Sequence, residues 1–422
     1  MRVTRFLPDG KQLVDTITPL AEALDKRRPA LARVPIAALL ELFDDFSRRL
    51  LQHPDTRTLD GVAFLSNWLR KSNLEGMLRL NLRGSKEFLD GFLPLGSLKL
   101  AAKPRGLVSM WMAGNVPTLP LFSMVSALLA KNVCIVKLAL ENDEGMISLL
   151  TVLSQSEAAE LKGSELLQFV TVVWYDYQHQ DLNEEMSWAA DTKIMWGGAA
   201  ALRAISALPR KEHCTEIAFG PKYSIGLLDR KRLERSGGLD AVIAAFVRDI
   251  AAFDQRACSA PQTIFIEKNS RLSLRQVAEL FAQHFRRLPP KPSLDFYTTV
   301  RILNVRAEWA LDDQRDVIAS GPEANWTICM DSAVSMKEAV QSRTVFLSEI
   351  DSWERILPLI TPKIQTVGMV FGDATDAEAF ANQVTQRGVA RCVPPGLMNG
   401  FESPWDGKLL ISELVRWVSL KG

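Results

Sequence analysis

One cysteine of this sequence lies where a thiol could act as a nucleophile. Cys258 falls in the polar segment 253–262 (FDQRACSAPQ), which is predicted to be a turn between a helix and a strand. An irregular turn can expose a thiol, and the neighbouring Arg256 can favour the reactive thiolate. The pattern alone leaves two interpretations open, a nucleophile or an inert buried thiol, because no histidine is placed by the sequence to act as its base.

The other cysteines and the histidines carry weaker signals. Cys214 follows His213 in a polar stretch and is ambiguous. Three cysteines lie within apolar runs and are expected to be small buried hydrophobic residues: Cys134, Cys329 and Cys392. There is no Cys-x-x-Cys pair and the four histidines have no metal-ligand spacing, so we predict no metal site. An odd number of cysteines favours a reducing compartment, and segment 1–10 lacks a secretory signal, so we expect a cytoplasmic protein.

An isolated amide follows the first strand of a regular apolar pattern. Asn115 belongs to the segment 113–117 (AGNVP), directly after the strand predicted over 107–112. It is either a turn residue, since asparagine favours turns, or an amide that donates a hydrogen bond to a developing oxyanion.

Two glycines mark a candidate phosphate site. Gly197 and Gly198 follow Trp196 at the end of a predicted strand and open a helix. A pyrophosphate could therefore approach the free amides at the helix N-terminus. A plain strand-to-helix turn explains the same residues equally well, and the chain has neither a Gly-x-Gly-x-x-Gly segment nor a Walker loop.

The elements that must position these residues are α/β units. After a largely helical N-terminal region, strands and helices alternate, with strands predicted at 107–112, 133–137, 169–174 and 192–196. Continuous apolar strands of this kind form parallel sheets covered by helices on both faces. We therefore expect a Rossmann-like domain whose ligand lies at the carboxyl ends of the strands. A second α/β domain is predicted from further strands at 263–267, 364–371 and 390–393.

The expected organisation has three parts. Residues 1–222 contain the N-terminal helices and the Rossmann-like domain, and residues 223–395 form the domain with Cys258. Residues 396–422 form a tail that returns to the first domain or to an oligomer interface. A chain of 422 residues is long enough for two such domains.

Charge and hydropathy argue against nucleic acid and membrane as partners. The net charge of +1 gives no bulk attraction to nucleic acid or to anionic lipid. The segment 106–130 carries no charge and is long enough to suggest a membrane span, but it contains a glycine, an asparagine and two prolines near its start. Because these residues break a single helix, a strand, a turn and a buried helix explain the segment better.

Taken in order, these motifs resemble the aldehyde dehydrogenase superfamily, and more narrowly the LuxC-type acyl-CoA reductases. The order is Gly-Asn-Val-Pro, then Lys137 about twenty residues later, Trp-Gly-Gly, Phe-Gly-Pro-Lys at 219–222 and the cysteine loop. The segments with the greatest similarity are 257–262 (ACSAPQ) and 388–394 (GVARCVP). The resemblance implies an aldehyde-dehydrogenase-like α/β fold, with a Rossmann-type cofactor domain and a second, catalytic α/β domain.

The same resemblance implies roles for single residues. Cys258 corresponds to the acylated nucleophile, and Asn115 to the oxyanion donor that works with the backbone amide of Cys258. Lys137 falls where the superfamily lysine contacts the adenosine ribose of the cofactor. The cofactor-binding residues implied in this way are Lys137, Trp196, Gly197, Gly198 and Gly220.

Two departures from the superfamily pattern matter. Hydrolytic aldehyde dehydrogenases carry a water-activating glutamate where this chain has Ala218. Glu216 lies two residues away and, on a strand, would be displaced by roughly 6–7 Å. A missing base suits an enzyme whose thioester must survive until hydride arrives. The superfamily glutamate that holds the nicotinamide ribose has no assigned counterpart.

The resemblance therefore implies an acyl-CoA reductase that forms a thioester on Cys258 and reduces it to an aldehyde. The expected cofactor is NADPH, because Leu140 replaces a glutamate that favours NAD, although Glu141, Asp143 and Glu144 lie nearby. Expected partners are acyl-CoA or another activated acyl group, an acyl-protein synthetase by resemblance alone, and a second copy of the chain. The alternatives are an acid-forming aldehyde dehydrogenase and a non-redox acyl carrier or scaffold.

Overall fold

The chain forms two units, each built around its own seven-stranded sheet. The computed structural model describes residues 2–139, 143–291 and 294–421. Unit 1 contains Met1–Pro221 and Gly400–Gly422, and unit 2 contains Lys222–Asn399. The end of the chain therefore belongs to the same unit as its start.

The strands follow one another along the chain in three groups. In the first part of unit 1 they are β1 (Val3–Leu7), β2 (Gly10–Val14), β3 (Leu93–Leu95), β4 (Leu98–Pro104), β5 (Leu107–Trp111), β6 (Val133–Lys137), β7 (Glu157–Ala158), β8 (Leu161–Lys162), β9 (Val170–Trp174), β10 (Thr192–Trp196) and β11 (Thr215–Phe219). In unit 2 they are β12 (Tyr223–Leu228), β13 (Pro261–Glu267), β14 (Asp316–Ala319), β15 (Thr327–Asp331), β16 (Thr344–Ile350), β17 (Ile364–Val370) and β18 (Arg391–Val393). Unit 1 ends with β19 (Val415–Leu420).

The α-helices lie between these strands in both units. Those of unit 1 before the crossing into unit 2 are α1 (Thr18–Asp25), α2 (Arg28–Arg33), α3 (Ile36–Gln52), α4 (Val62–Leu69), α5 (Lys71–Asn81), α6 (Leu119–Leu129), α7 (Glu144–Ser154), α8 (Gly163–Leu166), α9 (Gln180–Ala189) and α10 (Ala199–Ser206). Those of unit 2 and the final segment are α11 (Arg230–Glu234), α12 (Leu239–Ala251), α13 (Leu274–Arg286), α14 (Phe296–Ala310), α15 (Ala374–Thr385) and α16 (Leu410–Glu413).

The unit 1 sheet has the strand order β11-β10-β5-β6-β9-β1-β2. The strands from β11 to β9 are parallel, as the alternating apolar pattern predicts, whereas β1 and β2 form an antiparallel hairpin at the edge. The N-terminal region was expected to be largely helical, and this hairpin was not predicted. Its second strand is mostly exposed, so it lacks the apolar run that identifies a buried strand.

The direction of winding reverses in the middle of this sheet. From β5 the chain proceeds to β6 and β9 on one side, and then crosses back to β10 and β11 on the other side. Ligands of open α/β sheets bind where the strand order reverses, beyond the carboxyl ends of the strands. In unit 1 this switch point lies between β5 and β10.

The uncharged segment 106–130 forms a buried strand and a buried helix. Every residue of β5 and of α6 is buried, which explains why this stretch carries no charge. The turn between them contains the glycine, asparagine and first proline that were expected to interrupt a helix. Among the described residues, no helix combines the length and hydropathy that a membrane crossing requires.

The unit 2 sheet has the order β14-β15-β16-β13-β12-β17-β18, and only β14 is antiparallel to its neighbour. Helices cover both faces because successive side chains of a strand point to opposite sides. On β13, Ile264 and Ile266 join a core cluster that includes Phe246 of α12. Phe265 points the other way and joins a cluster that includes Phe380 of α15.

A glycine in this core offers a test of the packing. In unit 2, a methyl group on Gly226 of β12 would lie 2.8 Å from the Phe246 ring and 2.9 Å from the Ile264 side chain. We expect Gly226→Ala to lower the free energy of unfolding by about 1–3 kcal/mol, the usual cost of overpacking. Equilibrium urea unfolding measures this change.

Gly76→Ala is the matched control. Gly76 is an exposed residue of α5, and among the described residues an added methyl group would meet no heavy atom within 4 Å apart from the adjoining backbone of its own helix. Replacing a helical glycine in open space should stabilise the protein by roughly 0.5–1 kcal/mol. Equal urea midpoints for Gly226→Ala and the wild type would contradict the packing described here.

Candidate active site

Three strand ends meet at the switch point of the unit 1 sheet. Trp111 at the end of β5 is paired with Lys137 at the end of β6, and β10 runs parallel to β5 on its other side. Because the three strands are parallel neighbours, the segments that follow them leave the sheet at the same edge. The segment with Asn115, which follows β5, and the glycines 197–198, which follow β10, therefore emerge at the edge where Lys137 lies.

Lys137 is a buried cation held over an aromatic ring. Lys137 is only 9 % exposed, and its Nζ lies 4.7 Å from the centroid of the Tyr175 ring. Burial lowers the pKa of Lys137 to about 8, against the opposing attraction of Asp176. The ammonium ion therefore dominates at neutral pH and is lost a little above it.

A cavity of about 310 Å³ lies at the ends of β5 and β6. Most of its wall is apolar, including Leu138 and Ala139, and the start of α7 contributes the carboxylates of Asp143 and Glu144. Burial raises the pKa of Asp143, whose side chain caps α7 by accepting from the amide of Met146. Leu140 and Glu141, which entered the cofactor prediction, lie outside the described residues.

The Trp-Gly-Gly segment combines a fixed strand end with open space. The Trp196 ring stacks on Phe219 with centroids 3.9 Å apart, and its indole N–H donates to Ser123 Oγ of α6 at 3.0 Å. Gly198 is the N-cap of α10, and a Cβ there would meet no heavy atom within 4 Å in the described part of the chain beyond its immediate neighbours. A Cβ on Gly197 would come only within 3.5 Å of the protein. The N-terminus of α10 can thus be approached closely by an anion.

Asn115 lies in a bend after β5 and is half-buried. Gly220 follows β11, and a Cβ at this position would touch Leu202 of α10 at 3.4 Å, so it packs against the helix that the glycines open. The bend agrees with both interpretations of Asn115, the turn residue and the oxyanion donor. Its catalytic role stays a prediction.

Strand β11 has no carboxylate at position 218. Ala218 is exposed, while the Glu216 carboxylate lies 2.5 Å from the guanidinium of Arg210 and 3.5 Å from Lys193 Nζ. The Lys193 side chain is fully buried, so this contact is protected from solvent. The Glu216 carboxylate is therefore engaged by two cations.

In unit 2, Cys258 lies in a turn whose backbone is fixed on one side by hydrogen bonds. It is half-buried and flanked by the buried Ala257 and Ser259. The Cys258 carbonyl accepts from Ser224 Oγ at 2.7 Å, and Ser224 Oγ accepts in turn from the amide of Thr366 at 3.2 Å. The nucleophile candidate is thus tied to two neighbouring strands, β12 and β17, while part of the residue remains accessible.

The backbone before Cys258 adopts a conformation that L-residues avoid. Residues 253–255 have φ values of 54°, 48° and 63°, and residues 341–343 have φ values of 67°, 54° and 56°. None of the six is glycine. Left-handed conformations cost roughly 1–2 kcal/mol for each such residue, so surrounding contacts must stabilise both turns.

The two left-handed turns stabilise each other through a buried lysine. Ser342 donates from its hydroxyl to the Asp254 carboxylate at 2.7 Å and from its amide to the Asp254 carbonyl at 3.0 Å. Lys291 Nζ donates to the Ser342 carbonyl at 2.6 Å and to its Oγ at 2.8 Å. The Lys291 side chain is 2 % exposed, and burial lowers its pKa to about 8.

The two segments that most resemble the family are connected through Asn399. Ser259 Oγ, next to Cys258, donates to Asn399 Oδ1 at 2.7 Å. Arg391, within the segment 388–394, donates to the carbonyls of Leu397 and Met398, just before Asn399. The turn that carries Asn399 is thereby fixed against the cysteine loop.

The remaining cysteines are poor nucleophiles. Burial raises the pKa of Cys134 and, to about 12, that of Cys329, and both residues are buried as expected. Cys392 is only half-buried, but burial still raises its pKa to about 11. The ambiguous Cys214 is half-buried and its pKa is raised for the same reason.

The sequence analysis missed the side chains that hold the cysteine loop. Asp254 and Lys291 have partners 88 and 51 positions away on Ser342, so no local pattern connects them. Asn399 was missed for the same reason, since it lies 140 positions from Ser259. The only local signal was the similarity of 388–394 to the family, and it pointed to the region without indicating the contact.

Comparison with known proteins identifies relatives along most of the chain. A family model described as acyl-CoA reductase (LuxC) matches residues 37–417. A long-chain acyl-protein thioester reductase of Aliivibrio fischeri is 25% identical over 89% of this chain and 78% of its own length. A long-chain acyl-protein thioester reductase of Vibrio harveyi is 26% identical over 84% of this chain and 73% of its own length. Both relatives are therefore longer than the matched region.

Solved structures share the fold at low sequence identity. A lactaldehyde dehydrogenase is 11% identical, with a TM-score of 0.71 and coverage of 100% of this chain and 99% of that chain. A glyceraldehyde-3-phosphate dehydrogenase from Methanocaldococcus jannaschii complexed with NADP is 11% identical, with a TM-score of 0.68 and coverage of 100% and 98%. The fold is that of the aldehyde dehydrogenases.

The buried Lys291 provides a test of how the turns before Cys258 are stabilised. We expect Lys291→Met to lower the free energy of unfolding by about 1–3 kcal/mol, because the carbonyl and hydroxyl oxygens of Ser342 lose a buried donor and Asp254 loses a cation 3.9 Å away. The pKa of Lys291 is about 8 in the folded state and near 10.5 when unfolded, so the unfolded chain binds more protons between these values. The contribution of Lys291 to the free energy of unfolding of the wild type therefore rises with pH between these two values. The difference in free energy of unfolding between the wild type and Lys291→Met should widen over the same range.

Lys268→Met is the control for this experiment. Lys268 is an exposed lysine of unit 2 that pairs with Asp351 at the surface, and such pairs contribute roughly 0–1 kcal/mol. Urea unfolding at pH 7.5 and at pH 10 measures both variants. Equal losses for the two lysines at either pH would contradict a stabilising role of Lys291.

Proposed function

We propose that Cys258 of this chain, which belongs to the acyl-CoA reductase (LuxC) family, accepts an acyl group as a thioester. The thioester is then reduced to an aldehyde. Family membership supports the reaction class, the reduction of an activated acyl group. The observation that most directly supports the choice of nucleophile is the turn of Cys258, which is half-buried on a backbone held by Ser224.

The acyl donor in this proposal is acyl-CoA or another activated acyl group. The relatives from Aliivibrio fischeri and Vibrio harveyi are reductases of long-chain acyl-protein thioesters. We extend the thioester class of donor to this chain. Delivery of the acyl group by an acyl-protein synthetase and assembly with a second copy of the chain belong to the same proposal.

NADPH is the cofactor that we propose, and the residues of unit 1 fit it. Gly197 and Gly198 leave open space at the N-terminus of α10 for a pyrophosphate, with Trp196 holding the strand end and Gly220 packing against the helix. Lys137 would serve the adenosine ribose, where a 2′-phosphate would pair with its ammonium. When bound, the cofactor supplies the hydride that reduces the thioester.

The residues of this chain would act in two half-reactions. In the first, the Cys258 thiolate attacks the acyl carbonyl, and the bond to the carrier sulfur breaks to leave the acyl-enzyme. In the second, the reduced acyl carbon becomes a hemithioacetal anion on Cys258, and the Asn115 amide and the Cys258 backbone amide donate to its oxygen. Collapse of this anion expels the thiolate and releases the aldehyde.

The absence of a carboxylate at position 218 favours reduction over the acid-forming alternative. An acid-forming dehydrogenase needs a base that activates water, and Glu216 is held by Arg210 and Lys193. A non-redox acyl carrier needs a reactive thiol but no cofactor site. Binding of NADPH is measured by titration, and its consumption is followed by the loss of NADPH absorbance while acyl-CoAs of different chain lengths are supplied. Together the two measurements separate the proposed reductase from the acid-forming dehydrogenase and from the acyl carrier.

Cys258→Ala tests the nucleophile. We expect this variant to lose covalent acylation and aldehyde formation while it still binds NADPH, because the only change is the sulfur that forms the thioester. Intact-mass spectrometry after incubation with acyl-CoA measures the loading. Cys392→Ala, another half-buried cysteine of unit 2, is the control and should load normally. Normal acyl loading of Cys258→Ala would refute the assignment.

Lys137 tests the choice between NADPH and NADH. We expect the wild type to prefer NADPH, and Lys137→Gln to reduce kcat/KM for NADPH about tenfold or more and that for NADH by clearly less, since only NADPH adds a 2′-phosphate to the ribose that Lys137 would contact. Because burial holds the pKa of Lys137 at about 8, the preference should fall as pH rises past that value. Steady-state kinetics with both cofactors at pH 7 and 9 decide this. A wild type that works equally well with NADH contradicts it.

Ala218→Glu tests why the thioester survives. A carboxylate at this position should activate water, so that release of free acid from acyl-CoA without cofactor rises and the aldehyde yield per NADPH falls. Ala218→Gln is the control of nearly equal size without a base, and should not release acid. Free acid is measured chromatographically beside a melting curve. A folded Ala218→Glu protein that releases no additional acid shows that Ala218 does not occupy the water-activating position.

A further inference from the structure

We propose that Asp249 is a positioning residue for the nucleophile: through Asn399 and Ser259 it fixes the backbone on the C-terminal side of Cys258. Asp249 belongs to α12 and takes no part in the two half-reactions described above. The inference rests on the proposed function in so far as Cys258 is taken as the acylated residue.

A continuous buried chain of hydrogen bonds connects Asp249 with the cysteine loop. The Asp249 carbonyl accepts from Asn399 Nδ2 at 2.8 Å, and Asn399 Oδ1 accepts from Ser259 Oγ at 2.7 Å. Asp249, Asn399 and Ser259 are 1%, 2% and 3% exposed. Because water does not compete for these contacts, the position of Asn399 is transmitted directly to the residue that follows Cys258.

The Asp249 carboxylate fixes the turn from which Asn399 projects. Its Oδ2 accepts from the amide of Gly396, and the amide of Met398 donates to the same carboxylate. Gly396 has a φ of 90°, a conformation that suits glycine. Arg391 binds the carbonyls of Leu397 and Met398. The turn is therefore held through its amides by a carboxylate and through its carbonyls by a guanidinium.

This arrangement makes the turn sensitive to protonation of Asp249. Burial raises the pKa of Asp249 to about 6, although the two amides and the charges of Arg248, on α12, and Arg391, on β18, favour the ionised form. A protonated carboxyl group has one acceptor oxygen fewer for the amides. Below pH 6 the turn, and with it Asn399 and Ser259, should lose its fixed position.

Stability and reactivity should then change in opposite directions with pH. The pKa of Asp249 is about 6 in the folded state and near 3.8 when unfolded, so the folded chain binds the proton more readily between these values. The contribution of this group to stability is therefore greatest at low pH and is lost as pH rises through about 6. A loss of reactivity below pH 6 that arises from Asp249 cannot be explained by unfolding.

The test compares wild type with Asp249→Asn between pH 5 and pH 8. The rate of acyl-enzyme formation from acyl-CoA without cofactor is measured by quenched-flow mass spectrometry. We expect Asp249→Asn to be about ten- to hundredfold slower at pH 8, the range that a displaced nucleophile costs. The ratio of wild-type to variant rate should fall towards one below pH 6, and this ratio cancels the titration of the cysteine itself. Asp240→Asn, an exposed aspartate of the same helix, should match the wild type.

Ser259→Ala keeps the test independent of whether Asp249→Asn folds. It removes the last hydrogen bond of the chain, so its rate ratio to the wild type should show the same pH dependence. The double variant should be no slower than the slower single variant, because both changes break one connection. Ratios that do not vary with pH, or effects of the two changes that multiply, would overturn the proposal.

Alkylation of Cys258 separates this proposal from the proposed function. The rate of reaction with iodoacetamide, read at the Cys258 peptide with the Cys214 peptide as reference, requires no acyl chemistry. If the wild type is never acylated but its Cys258 alkylation depends on Asp249 and on pH as described, the proposed function is refuted and the positioning role is supported. If Cys258 is acylated but neither variant changes the rate of alkylation or acylation, the proposed function is supported and the positioning role is refuted.

Discussion

The register of the central strands of unit 1 is the constraint on which the rest of the candidate site depends. Trp111 pairs with Lys137 on one side, and β10 aligns with β5 on the other. A shift of one residue in either pairing would turn every side chain of the shifted strand to the opposite face of the sheet. The ends of these strands would then no longer present the asparagine, the lysine and the two glycines at one edge. Every residue of β5 and of α6 is buried, so such a shift would disrupt close packing on both faces of the strand.

Unit 2 positions Cys258 in a different way. The backbone around Cys258 is irregular, and it is held by side chains of residues distant in sequence rather than by a strand register. Ser224 binds the cysteine carbonyl, the pair of left-handed turns precedes it, and Ser259 anchors the following residue. The unfavourable conformations of 253–255 persist because buried contacts with Ser342 and Lys291 over-determine them. Strain of this kind is characteristic of sites where a fixed geometry matters more than local stability.

Sequence reasoning predicted those parts of the fold that have a local pattern. The apolar runs at β5, β6 and β10 identified parallel strands, and their spacing indicated a Rossmann-like sheet with an aldehyde-dehydrogenase-like fold. The family resemblance is confirmed along most of the chain. The hairpin β1–β2 was missed because its second strand is mostly exposed and carries no apolar run. The commitment of Glu216 to Arg210 and Lys193 was missed because it depends on how distant side chains meet. The roles of Cys258, Asn115 and the cofactor residues remain predictions.

The path of the chain has a consequence for its synthesis. Residues 400–422 belong to unit 1, and β19 pairs with β4 across more than three hundred intervening residues. Unit 2 is thus inserted between two parts of unit 1, and the ribosome synthesises all of it before β19. The segment that carries Cys258 is therefore synthesised before the strand that completes the three-stranded sheet of β3, β4 and β19. Until β19 is made, the edge of β4 that pairs with it has no partner strand in this sheet, because β3 pairs with the opposite edge.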